Sequence, residues 1–590
     1  MNIKNITIKN FRNFKDFSID FSEGFQTIIG ENNIGKSNLY WAIRLVLDKN
    51  LSYNSRNLEL KDFHGYIKTL TIDDYVLISV ELYSEKLSHF PTFHSFKTSD
   101  TTARITYIYA HKCKFNEDDI VPDNIELSDF SWKLFAGGNT FDLTELVEKT
   151  SQISFRDLEG INLYYINAFR NINSELQGST KSLLSKYCQS RQKSEEELES
   201  IKSILTTSSE GLNSLPFIPE LASTIQEKGT NIAGEYFSFP IAISFLSNYE
   251  EDVWSQLNLF YSPETGNNIP IYILGLGQKN ILYLSLFIAE LENSSKQSEI
   301  NILLLEEPEA HLHPQLQKIL FSNLNELKTT QVFMTSHSTH IASDCNYKNL
   351  NILFKNSEKE VKSFSPFKEG LLTERENLLL KRYLDATRSE MFFASAIIFV
   401  EGVGEQFLIP SIAKEVYGIH LTEHNISVIP IHSRYFDPYL KIVQDNNLEI
   451  PAVAIIDGDS GELEEGVETT TAVDNAIKLQ VNNRVIVSPG NITLEIDLFP
   501  NVLINNSYLK KCFANLGHIK SFNNLIAVTK GNPDIWNDEL LKRIDNTIMK
   551  GRFAQELSLL IDDKFVVPTY IKNAISHVAK LKNIKIRDAK

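Results

Sequence analysis

Apolar positions in this chain fall mostly into short runs bounded by polar turns, the pattern of strands alternating with helices. Ile3, Ile6 and Ile8 roughly alternate with polar residues, and Phe17-Ser18-Ile19-Asp20-Phe21 alternates cleanly. The run Phe25-Gln26-Thr27-Ile28-Ile29 leads into Gly30, a loop, and a helix expected to start near Lys36. From about 70 to 165, β-rich runs such as Tyr75–Val80 and Ala103–Tyr109 are separated by polar turns. Residues 171–235 differ, being rich in Ser, Glu, Lys and Leu, with Ser194-Glu195-Glu196-Glu197-Leu198-Glu199 at their centre. They predict two or three long amphipathic helices inserted into the first domain. Strand-and-helix alternation resumes from Ile271 to Asp344, and a linking helix is expected over 375–395. A second α/β unit follows, with buried strands at Ala396–Val400, Ile426–Pro430 and Ala452–Ile456, and then a helical C-terminal region. The predicted fold is α/β. Its expected segments are 1–170 and 238–375 for the two parts of the first domain, 171–237 for the helical insertion, 376–505 for the second domain, and 506–590 for the helical end.

A length of 590 residues exceeds what one core supports and implies two to four domains. Hydrophobic content of 42% and charged content of 23% are those of a soluble globular protein. No apolar run approaches the roughly 18–20 residues of a membrane span, and Met1-Asn2-Ile3-Lys4 opens no signal-peptide core. Cys113, Cys188, Cys345 and Cys512 are scattered without paired spacing. That argues against a disulfide framework or a zinc site and for a reducing cytoplasm. The net charge of −17 does not exclude a nucleic-acid partner, because binding depends on local patches. The tail from Ile571 holds Lys572, Lys580, Lys582, Lys585, Arg587 and Lys590 against Asp588 alone. It is either a solvated helix end or a phosphate-contacting surface.

Gly30-Glu31-Asn32-Asn33-Ile34-Gly35-Lys36-Ser37 fits G-x-x-x-x-G-K-[ST] between a strand and a helix. Its glycines let successive backbone N–H groups, those of Asn32, Asn33 and Gly35 among them, turn toward phosphates. Lys36 reaches the β and γ phosphates of ATP, and the Ser37 hydroxyl ligates Mg²⁺. The buried strand Asn301–Leu305 ends in Glu306-Glu307-Pro308-Glu309. Glu306 is placed toward the Mg²⁺ shell, and Glu307 is placed to orient or deprotonate water. His311 and His313 lack a third ligand and read as local structure. A third apolar strand, Gln331–Thr335, ends in Ser336-His337-Ser338, where His337 is placed to sense a γ-phosphate.

The second α/β unit carries a different chemistry. Strand Ala396–Val400 ends in Glu401-Gly402, with Glu405 four residues on, and strand Ala452–Ile456 ends in Asp457-Gly458-Asp459. Two buried strands delivering carboxylates to one sheet edge make a divalent-metal site. Hard oxygen ligands in this number favour Mg²⁺, Mn²⁺ or Ca²⁺ over zinc. Two such ions ~3.5–4 Å apart activate water and stabilise the leaving oxygen of a phosphodiester.

These motifs resemble known families. Ile6-Thr7-Ile8-Lys9-Asn10-Phe11-Arg12-Asn13-Phe14, Glu307–Pro314 and Thr335–Ser338 are similar to the opening strand, Walker B/D-loop and switch histidine of ABC-type ATPases of the SMC and RecF kind. Leu274-Gly275-Leu276-Gly277-Gln278 resembles their signature loop, with Gly275 in place of a serine, and Glu306 stands where an aspartate is usual. The resemblance implies two heads sandwiching ATP, and the altered signature lowers the expectation of efficient hydrolysis in trans. Glu401-Gly402-Val403-Gly404-Glu405 with Asp457-Gly-Asp459 resembles the Toprim domain of OLD-family nucleases. That likeness extends to Thr493–Leu498, supplying a further acid at Glu495, and to Lys550-Gly551-Arg552-Phe553-Ala554-Gln555, where Lys550 is similar to the family's basic catalytic residue. One departure is Ile431-His432-Ser433-Arg434 after the strand Ile426–Pro430, where the family has a glycine-rich turn.

The resemblance implies an ATP-binding, nucleotide-regulated, Mg²⁺- or Mn²⁺-dependent DNA endonuclease. Its layout is similar to the nucleases of Gabija-type anti-phage defence. Catalysis would fall to Glu401, Asp457, Asp459, Lys550 and, in the ATPase, Glu307. Metal would be held by Glu401, Glu405, Asp457, Asp459, Glu495 and Ser37. Nucleotide would be held by Asn32, Asn33, Gly35, Lys36, Ser37, Glu306 and His337. A homodimer or higher homo-oligomer and a helicase-like partner protein are implied by the same likeness, and the insertion 171–237 reads either as a mobile element with partly solvated helices or as the dimerisation element. The alternative is an SMC-like ATP-dependent DNA clamp whose second domain has no nuclease activity.

Overall fold

A computed structural model describes the chain apart from residues 66, 68, 117–123, 168–175, 177–181, 191–193, 214, 217–219, 221–222, 224–258, 262–268, 295–299, 311, 328, 341–348, 367–369, 385–387, 459–470, 531 and 588–590. In chain order the strands are β1 (Asn2–Phe11), β2 (Phe14–Asp20), β3 (Gln26–Gly30), β4 (Tyr75–Tyr83), β5 (Thr102–His111), β6 (Phe130–Ala136), β7 (Ser151–Ile153), β8 (Ile161–Ile166) and β9 (Phe260–Tyr261). They continue as β10 (Ile269–Pro270), β11 (Ile300–Glu306), β12 (Gln331–Ser336), β13 (Leu350–Lys355), β14 (Val361–Phe364), β15 (Ala396–Val400), β16 (Ile426–Pro430), β17 (Ala452–Ile456) and β18 (Val485–Pro489). No helix among the described residues is long and apolar enough to cross a membrane. Cys512 is a buried free thiol, and Cys345 lies outside the described residues.

The chain forms two compact units. The first takes in Met1–Tyr165, Ile302–Pro308 and Pro314–Lys590 and holds three sheets. One is antiparallel, in the order β2-β1-β4-β5-β6-β7, with Ile8 opposite Phe17 and Ile78 on its two neighbours. The second runs β14-β13-β3-β12-β11-β8. Its four central strands are parallel and almost wholly buried, as their unbroken apolar runs require of strands covered on both faces. Register pairs Leu353 with Gly30, Ser336 with Ile29, and Glu306 with Thr335. Gly30, Ser336 and Glu306 therefore share one sheet edge.

The third sheet is parallel, in the order β16-β15-β17-β18. From β15 the chain moves outward to β16 and then crosses back to β17 on the other side. The crevice between β15 and β17 is the topological switch point where α/β sheets bind ligands. Helix Val403–Glu415 and the C-terminal helices form one apolar core with this sheet, including Leu408, Ile412, Phe499, Phe513, Trp536, Phe553, Ile571 and Ile575. Trp536 seals it by donating its indole N–H to the Phe499 carbonyl at 2.7 Å. The basic C-terminal helix Thr569–Leu581 buries Tyr570, Ile571, Ala574, Ile575 and Val578 while Lys572 and Lys580 face solvent.

The second unit takes in Ile166–Asn301 and Glu309–His313. Helices Leu183–Ser190 and Glu195–Asn213 lie in the expected helical insertion, whose remainder is largely outside the described residues. Helix Leu276–Ser294 packs against the first of them, and β9 pairs with β10. Leu276 opens that long helix, so Gly277 and Gln278 of the signature motif sit in its first turn.

The linking helix is shorter than its sequence pattern predicts. It spans Glu374–Tyr383, starting on a capping box in which Thr373 and Glu376 satisfy each other's backbone N–H groups. A separate 3₁₀ turn covers Arg388–Phe392.

Candidate functional site

The first site grows from the C-terminal edge of the second sheet. Gly30 and Gly35 both take positive φ, 151° and 117°, and Asn33 sits in the left-handed region at 61°. A Cβ at Gly30 would strike the Leu353 carbonyl, and one at Gly35 would strike the Asn13 amide, so glycine is required at both. The turn between β1 and β2 braces this loop from behind. Asn13 donates to the Ile34 carbonyl at 2.5 Å and accepts from Asn38 at 2.6 Å. Arg12 donates to Asn38 at 2.8 Å and to Asp62 at 2.8 Å. The sequence motif around Arg12 and Asn13 thus has a mechanical basis, though neither residue was expected at the site.

Lys36 is buried at the start of helix Lys36–Leu47 and donates to the carbonyls of Gly30 and Glu31 at 2.8 and 3.0 Å. Asn32, Asn33 and Ser37 are exposed on the same loop and first turn. His337 Nδ1 lies 3.5 Å from the Lys36 ammonium, and His337 Nε2 lies 3.3 Å from Glu307 Oε1. Burial and the Lys36 charge push the His337 pKa down, outweighing the opposite pull of Glu307. The imidazole is therefore held neutral at neutral pH, able to donate from one nitrogen and accept at the other. Glu307 takes a left-handed φ of 42° at the end of β11, a backbone cost found where surroundings fix a residue for use. Glu306 is buried, and its Oε1 has no hydrogen-bond partner among the described residues. An orphaned buried carboxylate oxygen beside a phosphate-type loop suits a bound cation. Burial and the neighbouring Glu306 charge drive the pKa of Tyr165 upward.

The second site lies at the switch point of the four-stranded sheet. Glu401 follows β15, Glu405 sits in the first turn of helix Val403–Glu415, and Asp457 follows β17. One carboxylate oxygen from each lies within 4.8 Å of the others. With Glu495 and Lys550 they line a cavity of about 510 Å³, which also takes in Gly402, Ser433 and Arg434. An all-carboxylate donor set this tight fits a hard divalent cation. Asp459 and His311 lie outside the described residues, and His313 is exposed.

The electrostatics are those of crowded acids. Burial raises the Glu405 pKa and Glu495 raises it further, although the Glu405 and Gly402 N–H groups and Lys550 oppose this. Lys550 Nζ lies 3.5 Å from Glu495 Oε2. Burial works against its ammonium, but Glu495, Asp545 and Asp457 outweigh it and hold the pKa above the usual lysine value. Lys550 is delivered by an irregular segment, a π-turn over Ile544–Ile548 followed by Met549 at φ 78°.

Glu495 and Asp497 part company on the short helix Leu494–Leu498. Two residues span about 200° of helical turn, so they face opposite sides. Glu495 enters the cavity, while Asp497 accepts the backbone N–H groups of Asn491 and Ile492 at 2.8 and 3.4 Å. The loop so held lies against Gly458, where a Cβ would collide with the carbonyls of Gly490 and Asn491. The glycine between the two aspartates is thereby explained. Arg434 was not expected in the cavity. The only signal for it was the glycine-free turn after β16.

Comparison with known proteins places these sites in context. The family model for an AAA ATPase domain matches residues 1–342, and the model for the Toprim domain of overcoming-lysogenization-defect-like proteins matches residues 392–459. The protein named endonuclease GajA of Bacillus cereus (strain HuB5-5) is 26% identical over 56% of this chain and 56% of its own length. The one of the same name from Bacillus cereus (strain VD045) is 23% identical over 75% and 73%. The Old nuclease of Escherichia phage P2 is 22% identical over 73% of each. The chain thus spans little more than half the length of the first of these relatives.

Proposed function

Because the chain belongs to the family of AAA ATPase domains and continues into an OLD-like Toprim domain, we propose that it is a nucleotide-gated, divalent-metal-dependent DNA endonuclease. The observation that carries this reading is the meeting of Glu401, Glu405 and Asp457 at the switch point of the third sheet. Glu401, Glu405, Asp457, Glu495 and, in the adjoining segment, Asp459 would hold Mg²⁺ or Mn²⁺. A divalent ion there supplies an activated water and neutralises charge at a phosphodiester. Lys550 holds a proton firmly and presents a cation to the scissile phosphate.

At the first site ATP binds the loop Gly30–Ser37. Asn32, Asn33 and Gly35 offer backbone N–H groups, Lys36 a positive charge, and Ser37 with Glu306 the oxygens for Mg²⁺. His337 and Glu307 report on or act at the γ-phosphate. The segments 171–237 and 506–590 would serve dimerisation and the nuclease region, respectively. Homodimers or higher homo-oligomers, a helicase-like partner and a role in anti-phage defence complete the reading, supported by the likeness to the named endonucleases.

The test is incubation of the full chain with supercoiled plasmid and Mg²⁺ or Mn²⁺. The native protein converts it to nicked or linear product, and Asp457→Ala does not. Undiminished nicking by Asp457→Ala overturns the nuclease assignment and leaves an ATP-dependent DNA clamp as the reading.

A further inference from the structure

Arg434 enters the acid cavity from a loop with an unusual backbone. His432 takes φ 51°, the left-handed conformation that a glycine would adopt freely. The loop is pinned on both sides of that residue. Ile431 N donates to the Val400 carbonyl at 3.0 Å, tying it to the strand that bears Glu401. Tyr435 donates its hydroxyl to Glu376 at 3.0 Å, and its N–H goes to Ser433 Oγ at 3.0 Å. Glu376 is itself buried and held by Lys441 at 2.7 Å and by the Thr373 cap. The base of Arg434 is thus fixed, while its side chain is 57% exposed and its Nε lies 3.7 Å from Glu401 Oε1.

The arrangement mirrors that of Lys550. Each cation follows closely on a non-glycine residue of positive φ, His432 or Met549, and each lies against one carboxylate of the cavity. Arg434 follows β16 and Glu495, the partner of Lys550, follows β18, and these are the two edge strands of the sheet. Four described carboxylates, Glu401, Glu405, Asp457 and Glu495, share the cavity with these two cations. A DNA phosphate approaching such a site meets net negative charge unless the carboxylates are engaged. Once a divalent cation takes up the Glu401 carboxylate, the guanidinium is released to a new anion, and its planar fork matches two phosphate oxygens.

Resting on the nuclease reading above, we propose that Arg434 is a second phosphate-contacting cation of the cavity, which lies on Glu401 until a metal claims that carboxylate and then binds the DNA backbone beside the scissile bond. Arg434 and metal compete for Glu401, so removing the arginine acts in opposite directions on the two ligands.

The test uses full-length protein, a fluorescent duplex in Ca²⁺, and Mn²⁺ titration without DNA. Arg434→Gln is expected to weaken DNA binding about tenfold and to lower the salt slope by about one, the signature of one lost phosphate contact. Mn²⁺ affinity should rise, and Arg434→Lys should restore part of the DNA affinity. Unchanged DNA affinity and salt slope in Arg434→Gln overturns the proposal, as does an unchanged Mn²⁺ affinity, which removes the competition, or a lowered one, which makes the arginine a mere prop for Glu401. Asp457→Ala, run in parallel, separates this from the parent reading. If it still cleaves, the nuclease assignment fails, whereas a null result confined to Arg434→Gln leaves that assignment standing.

Discussion

Asn425 donates its side-chain amide to the carboxylate of Glu31 at 2.8 Å, joining the phosphate-binding loop to the rim of the four-stranded sheet. The same amide also reaches the Phe393 carbonyl at 2.9 Å, and the Asn425 carbonyl accepts the N–H of Ser395 at 2.9 Å, one residue before β15. At the other end of β15 stands Glu401. A short covalent and hydrogen-bonded route thus runs from the loop proposed to take phosphate to the strand that carries Glu401.

Asn425→Ala is expected to shrink the difference between plasmid nicking with and without nucleotide, leaving basal nicking nearly intact. Asn425 is exposed, but it sits at a left-handed φ of 54° that asparagine tolerates better than alanine, so the variant should also lose about 1–2 kcal/mol of stability. The measurement is nicking rate against ATP concentration. An undiminished nucleotide effect in the variant would show that the two sites communicate by another route.

Lys36→Ala should abolish nucleotide binding, because the ammonium is the one buried cation that the loop Gly30–Ser37 itself supplies. Glu307→Gln should leave binding largely intact while lowering ATP turnover by 10²-fold or more, in the range of a lost general base. Equilibrium binding of a fluorescent ATP analogue and phosphate release separate the two effects. Unaltered ATP affinity in Lys36→Ala would sink the assignment of the loop.

Much of this architecture was legible in the chain, for a definite reason. Strands covered on both faces have to be apolar throughout, so β3, β11, β12, β15 and β17 announce themselves as short runs, and each of these ends in a polar motif that the parallel register lines up at one edge. Glu401, Glu405, Asp457, Glu495 and Lys550, spread over 150 positions, accordingly meet in one cavity. What the pattern did not disclose depends on side-chain direction. Asp497 and Glu495 have the same chemistry two residues apart, and only the helical turn sends one to the cavity and the other to loop amides. Arg434 stayed hidden because the left-handed residue ahead of it is His432, which carries no turn signal of its own. The linking helix ends early because Leu384, in an extended conformation, closes it at Tyr383.

The Glu376 carboxylate gives a pH-dependent test of how the Arg434 loop is supported. Burial alone would raise its pKa, but the Lys441 ammonium, the Thr373 N–H and hydroxyl, and the Tyr435 hydroxyl outweigh burial and hold it below the usual carboxylate value. A carboxylate depressed in the folded state stabilises above its unfolded pKa of about 4.3, and that contribution is lost as pH falls through the folded value. Glu376→Gln should therefore cost about 1.5–3 kcal/mol at neutral pH, a cost that shrinks as pH falls below about 4.3 and is gone only beneath the lowered folded value. Urea unfolding at pH 7 and pH 3.5 checks this, and equal costs at both would mean that the ion pair with Lys441 is not the stabilising element.

Gly458 supports the sharpest structural prediction, because its environment leaves a single atom no room. An added Cβ would lie against the carbonyl oxygens of Gly490 and Asn491, both backbone atoms in a loop that Asp497 holds by two hydrogen bonds. Flexible side chains yield to such a clash, but a carbonyl anchored this way does not. Gly458→Ala must displace either that loop or the strand end that carries Asp457. Overpacking of this kind costs about 1–3 kcal/mol, so the variant should still fold. Its Mn²⁺ affinity should nonetheless fall by tenfold or more, since Asp457 loses its place beside Glu401 and Glu405. Adding Asp497→Asn, which weakens the hold on the loop, should recover part of that affinity by letting the carbonyls retreat. Calorimetric Mn²⁺ titration of the single and double variants decides the matter. A Gly458→Ala protein that binds Mn²⁺ like the native chain would show that the cavity tolerates a shifted Asp457 and that the glycine serves the fold alone.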